Sequence, residues 1–288
     1  MNRPKLVYLF CIFLTLYHLT ARVGLAIDLQ WHLDVGRDSL LTPPHVMILA
    51  GAPFCILFSF YYVFLNTSDH NSGTNMSGIK ILGFIAPGSI WMILLGMLSL
   101  GVGGIYDDYW HAQYGIDTTV ITPPHMLTLF GGMLAEFASV LLVRDLIKHD
   151  PNNRFKGKNL MAAVLLWTLL FHGGLSFLNF IDPRAATIPV FGFTMMLHLF
   201  FGPLVVIAVL LIARQWFDNK VIYILGGFTF AIQTSMFVFI PLAVESLMGP
   251  SHTFRPGAPS VVWAAHCVTY LFVVVAWLFA KFELIHRP

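Results

Sequence analysis

The chain is a succession of long apolar stretches separated by short polar ones. Eight stretches stand out, at roughly 5–27, 45–65, 79–105, 125–147, 159–181, 190–216, 220–247 and 260–283. A helix that crosses a bilayer needs about 20 mostly apolar residues. The pattern therefore predicts an all-α, polytopic membrane bundle of about eight transmembrane helices. The junctions hold turn formers and charge: residues 66–77 are rich in Asn, Ser and Gly, and 149–159 are polar and basic. The first stretch has some features of a secretory leader, with Arg3 and Lys5 ahead of it and Gly24-Leu25-Ala26 near its end. His18 and Arg22 interrupt it, so it is expected to stay as the first helix.

Composition removes several classes of function. The chain is 57% hydrophobic and 10% charged, against about 25% charged in soluble domains. Its mean hydropathy is +0.77, which excludes a soluble globular enzyme. A net charge of +2 leaves no footprint for nucleic acid. Cys11, Cys55 and Cys267 all lie in apolar stretches, fit no disulfide or thiolate-metal pattern, and are expected in the core. Lys and Arg set the orientation. With the N-terminus in the cytoplasm, twelve of the 16 basic residues fall on that side, and Arg22, Arg37, Arg184 and Arg255 fall on the other. Both termini are then cytoplasmic, and loops near 28–44, 106–124, 182–189 and 248–259 face outside.

Two of those outer loops are copies. The first reads DLQWHLDVGRDSLLTPPHVM from Asp28 to Met47, and the second DDYWHAQYGIDTTVITPPHML from Asp107 to Leu127. With one residue inserted in the second, nine positions are identical. The pairs include Asp28/Asp107, Trp31/Trp110, His32/His111, Asp38/Asp117, Thr42/Thr122 and His45/His125. Such density indicates a duplicated helix–loop–helix hairpin. Asp and His at i, i+4 share a helix face. Thr-Pro-Pro-His opens the return helix, with Thr as N-cap and proline in the first turn. Each hairpin thus brings Asp, His and His together at the outer edge of the membrane.

One carboxylate and two imidazoles suit copper, zinc or iron, and chemistry alone does not choose among them. The candidate metal ligands are Asp28, His32 and His45 in one copy, and Asp107, His111 and His125 in the other. Asp38 and Asp117 either orient a ligating His from behind or cap the loop. The structural alternative is a set of polar caps kept by a duplicated hairpin for folding alone. Trp31 and Trp110 fit the aromatic belt of a membrane interface.

At these residues the sequence resembles the C subunit of the copper-containing membrane monooxygenases, the particulate methane and ammonia monooxygenases. That subunit carries Asp-x-x-Trp-His, then Arg-Asp, then Thr-Pro-x-His. Asp28, Trp31, His32, Arg37, Asp38, Thr42, Pro43 and His45 match it with the same spacing. The resemblance implies copper at Asp28, His32 and His45. The family's second triad leads with Asn; His111 and His125 match its two His, and Asp107 stands at the Asn. Arg37 has no counterpart in the second copy, where Ile116 stands. The resemblance covers roughly residues 20–148. It implies a bacterial or archaeal cytoplasmic membrane, other monooxygenase subunits or a homo-oligomer as partners, and a quinol or external electron donor.

The chain divides into two four-helix halves, 1–148 with both motifs and 149–288 without a recognised counterpart. In the second half, Glu245, His252 and His266 make a loose third grouping. His172 and His198 fall mid-membrane and are expected to hydrogen-bond backbone carbonyls rather than bind a metal or haem. Glu136 lies eleven residues after His125 on nearly the same helix face. It is a candidate proton relay, or else a hydrogen-bonded core residue. Arg22 is placed to pair with Asp28 or Glu136. Gly103-Gly104, Gly131-Gly132 and Gly226-Gly227 are expected at close helix contacts. The expected function is metal-dependent, O2-consuming oxidation of a small substrate. The alternatives are a non-catalytic copper or zinc protein for oxidase assembly, and a transporter of metal ions or protons.

Overall fold

The computed structural model describes residues 3–34, 39–71, 78–115, 122–150, 152–179, 187–190, 193–196 and 198–248. The expected eighth span, with His252, His266 and Cys267, lies outside them, as do Arg37, Asp38 and Asp117. The described chain is helical apart from two short hairpins. Five of its helical segments are long and apolar enough to cross a membrane: Arg3–Asp28, Pro43–Asn71, Gly88–Tyr114, Pro123–Lys148 and Asn219–Ile240. Leu16, Leu57, Ile105, Phe130 and Phe239 are exposed on these helices. In a bilayer such side chains face lipid, while helical backbone satisfies its own polar groups.

Helix α1 runs unbroken over Arg3–Asp34, so Asp28 and His32 share one helix. The return leg of the first hairpin is two helices, α2 (Pro43–Leu49) and α3 (Ala52–Asn71). Pro53 supplies a reason for the break, because it cannot donate to the carbonyl four residues back and its ring crowds that carbonyl. Gly51 lets the broken backbone lie against Tyr17, whose hydroxyl donates to the Ile48 carbonyl at 2.7 Å. The second copy has no proline at the matching place. Its legs are the continuous helices α4 (Gly88–Tyr114) and α5 (Pro123–Lys148). They pack closely through glycine: a Cβ on Gly131 would stand 2.7 Å from the Gly96 carbonyl oxygen.

Between the copies, β1 (Ile79–Ile81) and β2 (Phe84–Ala86) form an antiparallel hairpin. Leu82 and Gly83 turn it with φ of 49° and 89°, the left-handed geometry of a two-residue hairpin turn. Thr67 and Asn66 tie it to the end of α3 through the Ile85 backbone. The third span is thereby corrected: residues 79–86 form this hairpin, and the helix begins at Gly88. A similar correction applies to the sixth. There β3 (Thr187–Val190) pairs with β4 (Phe193–Met196), and the helix runs only over His198–Trp216 (α7). His198 therefore stands at the start of a helix.

Helices α6 (Lys158–Asn179) and α8 (Asn219–Met248) complete the bundle. The two halves share one apolar core, with α1 packed against α5, α6 and α8. Cys11 and Cys55 are buried free thiols within it. Among the described residues, nothing lies within 4 Å of where a Cβ on Gly227 would be.

Candidate metal centre

The duplicated turns place the site. Thr42 and Thr122 stand at the N-caps of α2 and α5 in extended backbone, followed by proline in the first turn. Neither hydroxyl makes the expected capping hydrogen bond. The frame therefore depends on proline and on the extended Thr backbone, and His45 and His125 sit in the first helical turn. At the other leg, Gly115 ends α4 with φ +83°, the conformation that favours glycine at a helix C-terminus.

In the second copy Asp107, His111 and His125 converge. One donor atom from each lies within 4.8 Å of the others. His111 Nε2 is 3.4 Å from Asp107 Oδ2, and His125 Nε2 is 3.2 Å from Asp107 Oδ1. In the first copy His45 Nε2 is 3.3 Å from Asp28 Oδ1. His32 lies on α1 one turn beyond Asp28, but its side chain is outside the described part.

The hydrogen bonds behind the rings decide what these contacts are. His111 Nδ1 donates to the Gly115 carbonyl at 3.0 Å, and His45 Nδ1 donates to the Ser39 carbonyl at 2.8 Å. A carbonyl only accepts, so each Nδ1 carries the hydrogen, and Nε2 of each neutral ring carries a lone pair. That lone pair faces a carboxylate oxygen. Two acceptors at this distance need a cation between them, either a second proton on the ring or a metal ion. A ring whose far N–H is held by a carbonyl is the usual setting of a metal-ligating His. The donor set therefore fits a metal, and the fit rests on nitrogen and oxygen chemistry that copper, zinc and iron share.

The two copies open on one cavity. One cavity of about 110 Å³ is lined by Asp28 and His45 from the first hairpin and by Asp107, His111 and His125 from the second. Leu25, Ile48, Leu49, Leu100 and Leu129 supply apolar wall. Leu40 N–H donates to Asp108 Oδ1 at 3.3 Å, which ties the loop of the first copy to α4 of the second. Asp108 has no acidic counterpart in the first copy, where Leu29 stands, so comparison of the repeats passes over it. Trp110 packs between Tyr106 and Tyr114 at the end of α4, and Trp31 is half-buried against the core.

Arg22 and His172 also line the cavity, and they lead to a cluster deeper in the bundle. Arg22 Nε pairs with Glu136 Oε1 at 3.0 Å, and His172 Nδ1 lies 2.8 Å from Glu136 Oε2. His18 Nε2 meets Ser139 Oγ at 3.1 Å, and its Nδ1 is 3.8 Å from Glu136. All four of His18, Arg22, Glu136 and His172 are buried. Of the two partners expected for Arg22, the structure selects Glu136. The carbonyl partner expected for His172 is corrected to a carboxylate from another helix.

No family model, curated protein or solved structure matches the chain.

Proposed function

We propose that the protein is an integral membrane metalloprotein that holds copper in this cavity and takes part in O2-dependent oxidation of a small substrate. In this reading the cavity lies near the outer face of an eight-span bundle with both termini cytoplasmic. One observation carries the metal: Nε2 of His45 and Nε2 of His111 each lie beside a carboxylate oxygen, of Asp28 and of Asp107, and all four residues line one cavity. The choice of copper and of oxidation rests on the resemblance to the metal-binding subunit of the copper monooxygenases. On that resemblance, electrons come from a quinol or an external donor, and companion subunits or further copies of the chain complete the enzyme.

Bound copper would supply dioxygen activation. The chain's own residues do the rest. Ser39 and Gly115 carbonyls fix His45 and His111 in the tautomer that ligates. The leucine and isoleucine wall suits a small apolar molecule arriving through the bilayer. Asp28 and Asp107 offset cationic charge that would otherwise be buried without compensation.

The test is elemental analysis of the detergent-purified protein beside His45→Ala and His111→Ala, followed by O2 uptake. Copper in the parent, lost on each substitution, together with O2 consumption supports the reading. Zinc or iron in its place removes the copper assignment. Metal without O2 uptake, even with quinol present, points to a non-catalytic metal protein. No metal after reconstitution overturns the proposal.

A further inference from the structure

The two hairpins differ in how their return helices are held, and the difference falls on one residue. Four residues before the leading Asp stands a glycine in each copy, Gly24 before Asp28 and Gly103 before Asp107. In both, a Cβ at that glycine would stand 3.1 Å from the carbonyl oxygen of the proline before the ligating His, Pro44 or Pro124. Six residues after that His stands a second shared glycine, Gly51 or Gly131. The partner facing it is what changes. Gly131 meets Gly96, eleven residues before Asp107, backbone to backbone. Gly51 meets the ring of Tyr17, eleven residues before Asp28. A tyrosine thus stands in the first copy where the second has a glycine.

The consequence reaches His45. In the second copy His125 is part of α5, a helix of 26 residues. His45 belongs to α2, which has seven residues and ends at the break before Pro53. So short a helix has little stability of its own, and its position comes from what it touches. In an unbroken helix the Ile48 carbonyl would accept from the N–H of Ala52, four residues on. Here the Tyr17 hydroxyl donates to it at 2.7 Å, and Tyr17 is buried. Ile48 follows His45 by three residues, so the two share a face of α2. Tyr17, Gly24 and Asp28 are spaced by seven and four residues and share a face of α1. The hydroxyl and the Gly24 contact thus bracket His45 and set it where its Nε2 lies 3.3 Å from Asp28 Oδ1.

We infer that Tyr17 is the positioning residue of the metal donor His45, holding α2 at the rotation and height that ligation requires. The inference rests on the metal reading of these donors. Without the hydroxyl, a buried carbonyl loses its donor, which is costly, and α2 relieves that cost by shifting. The fraction of molecules with His45 in place falls, and the apparent affinity falls with it. One lost hydrogen bond sets a ceiling of about tenfold on that fall. His125, carried by the continuous helix α5, keeps its place. The cavity therefore joins one donor set built on continuous helices to another whose geometry hangs on a single side-chain contact.

The experiment follows the nitrogen-15 signals of the imidazole rings in histidine-labelled, detergent-purified protein as zinc, a diamagnetic divalent ion, is added. His45 and His125 are assigned by the loss of their signals in His45→Gln and His125→Gln. In the parent both Nε2 signals are expected to move as zinc binds. In Tyr17→Phe the zinc concentration at which His45 responds is expected to rise severalfold, to at most about tenfold, while that for His125 stays as in the parent. Gly51→Ala, whose Cβ would displace the same ring, is expected to give the same selective loss. A His45 response equal to the parent's in Tyr17→Phe overturns the inference. Equal weakening at His45 and His125 also overturns it, because a general loosening of the bundle has no reason to choose between them. Both of these results leave the metal reading intact. A parent in which zinc moves neither ring overturns that reading, and the inference falls with it.

Discussion

At the residue scale the strongest constraint is Glu136. It is fully buried and compensates Arg22 inside the bundle. Removing one member of a buried ion pair strands the other and costs about 3–5 kcal/mol. Glu136→Ala is therefore expected to lower thermal stability in detergent sharply, and Glu136→Gln, which keeps a hydrogen-bonding oxygen, to lower it less. Equal effects, or none, would show that Arg22 finds its compensation elsewhere. At the metal donors, Asp107→Ala is expected to lose bound metal while keeping the helical content seen by circular dichroism. Part of this chemistry was legible in the sequence. The i, i+4 spacing of Asp107 and His111 and the helical arc of Arg22 needed only the geometry of one helix. The Glu136–His172 contact was not legible, because its partners are 36 residues apart on different helices. No single-helix period encodes that pairing.

Elements set how closely these residues approach. Helices α4 and α5 bring Asp107 and His125 together because Gly96 and Gly131 let their backbones touch. Gly96→Ala would put a methyl 2.5 Å from the Gly131 carbonyl oxygen. Overpacking of this kind costs about 1–3 kcal/mol. The variant is expected to melt earlier and to bind less metal. Gly227→Ala, with nothing within 4 Å among the described residues, is the control: it should bind metal as the parent does and melt no earlier, since alanine favours helix over glycine. The two glycine pairs on α4 and α5 and the one on α8 look alike in sequence. Only the presence of a facing helix backbone picks out the contact glycines. The β1–β2 hairpin escaped the hydropathy pattern for a similar reason. Ile79, Ile81, Phe84 and Ile85 are as apolar as the helix they precede, so apolar content merged them with α4. Pro53, by contrast, carried its own physical signal for a break in the return leg.

For the whole molecule, what matters is how the halves hold together and which way the bundle faces. The turn between α5 and α6 is fixed by Asp150, which accepts from the Arg154 and Phe155 backbone N–H groups and from Lys158 Nζ at 2.6 Å. Burial works to raise its carboxyl, but these donors outweigh it and hold the group well below its ordinary value of 3.8. The unfolded chain therefore takes up this proton first on acidification. The stabilisation is complete above that ordinary value and is lost as pH falls below it. Asp150→Asn is expected to lower the melting temperature at neutral pH, and its difference from the parent to shrink once the pH drops below about 4. A gap that persists at low pH would assign the turn's strength to something other than charge. Orientation is tested at both ends of the same bundle. Arg22, one of the four basic residues counted outside, is buried against Glu136, so the outer loops keep three against twelve. The bias that puts Lys and Arg in the cytoplasm is thereby sharpened. It predicts that Tyr114, exposed at the end of α4, faces outside and that Asn152, exposed after α5, faces the cytoplasm. Cys11 and Cys55 are buried and will not react, so a Cys267→Ser background reports only introduced thiols. Tyr114→Cys should take an impermeant maleimide in intact cells, and Asn152→Cys only after permeabilisation. The reverse pattern would turn the bundle over and put the metal donors on the cytoplasmic side, where an external electron donor could not reach them.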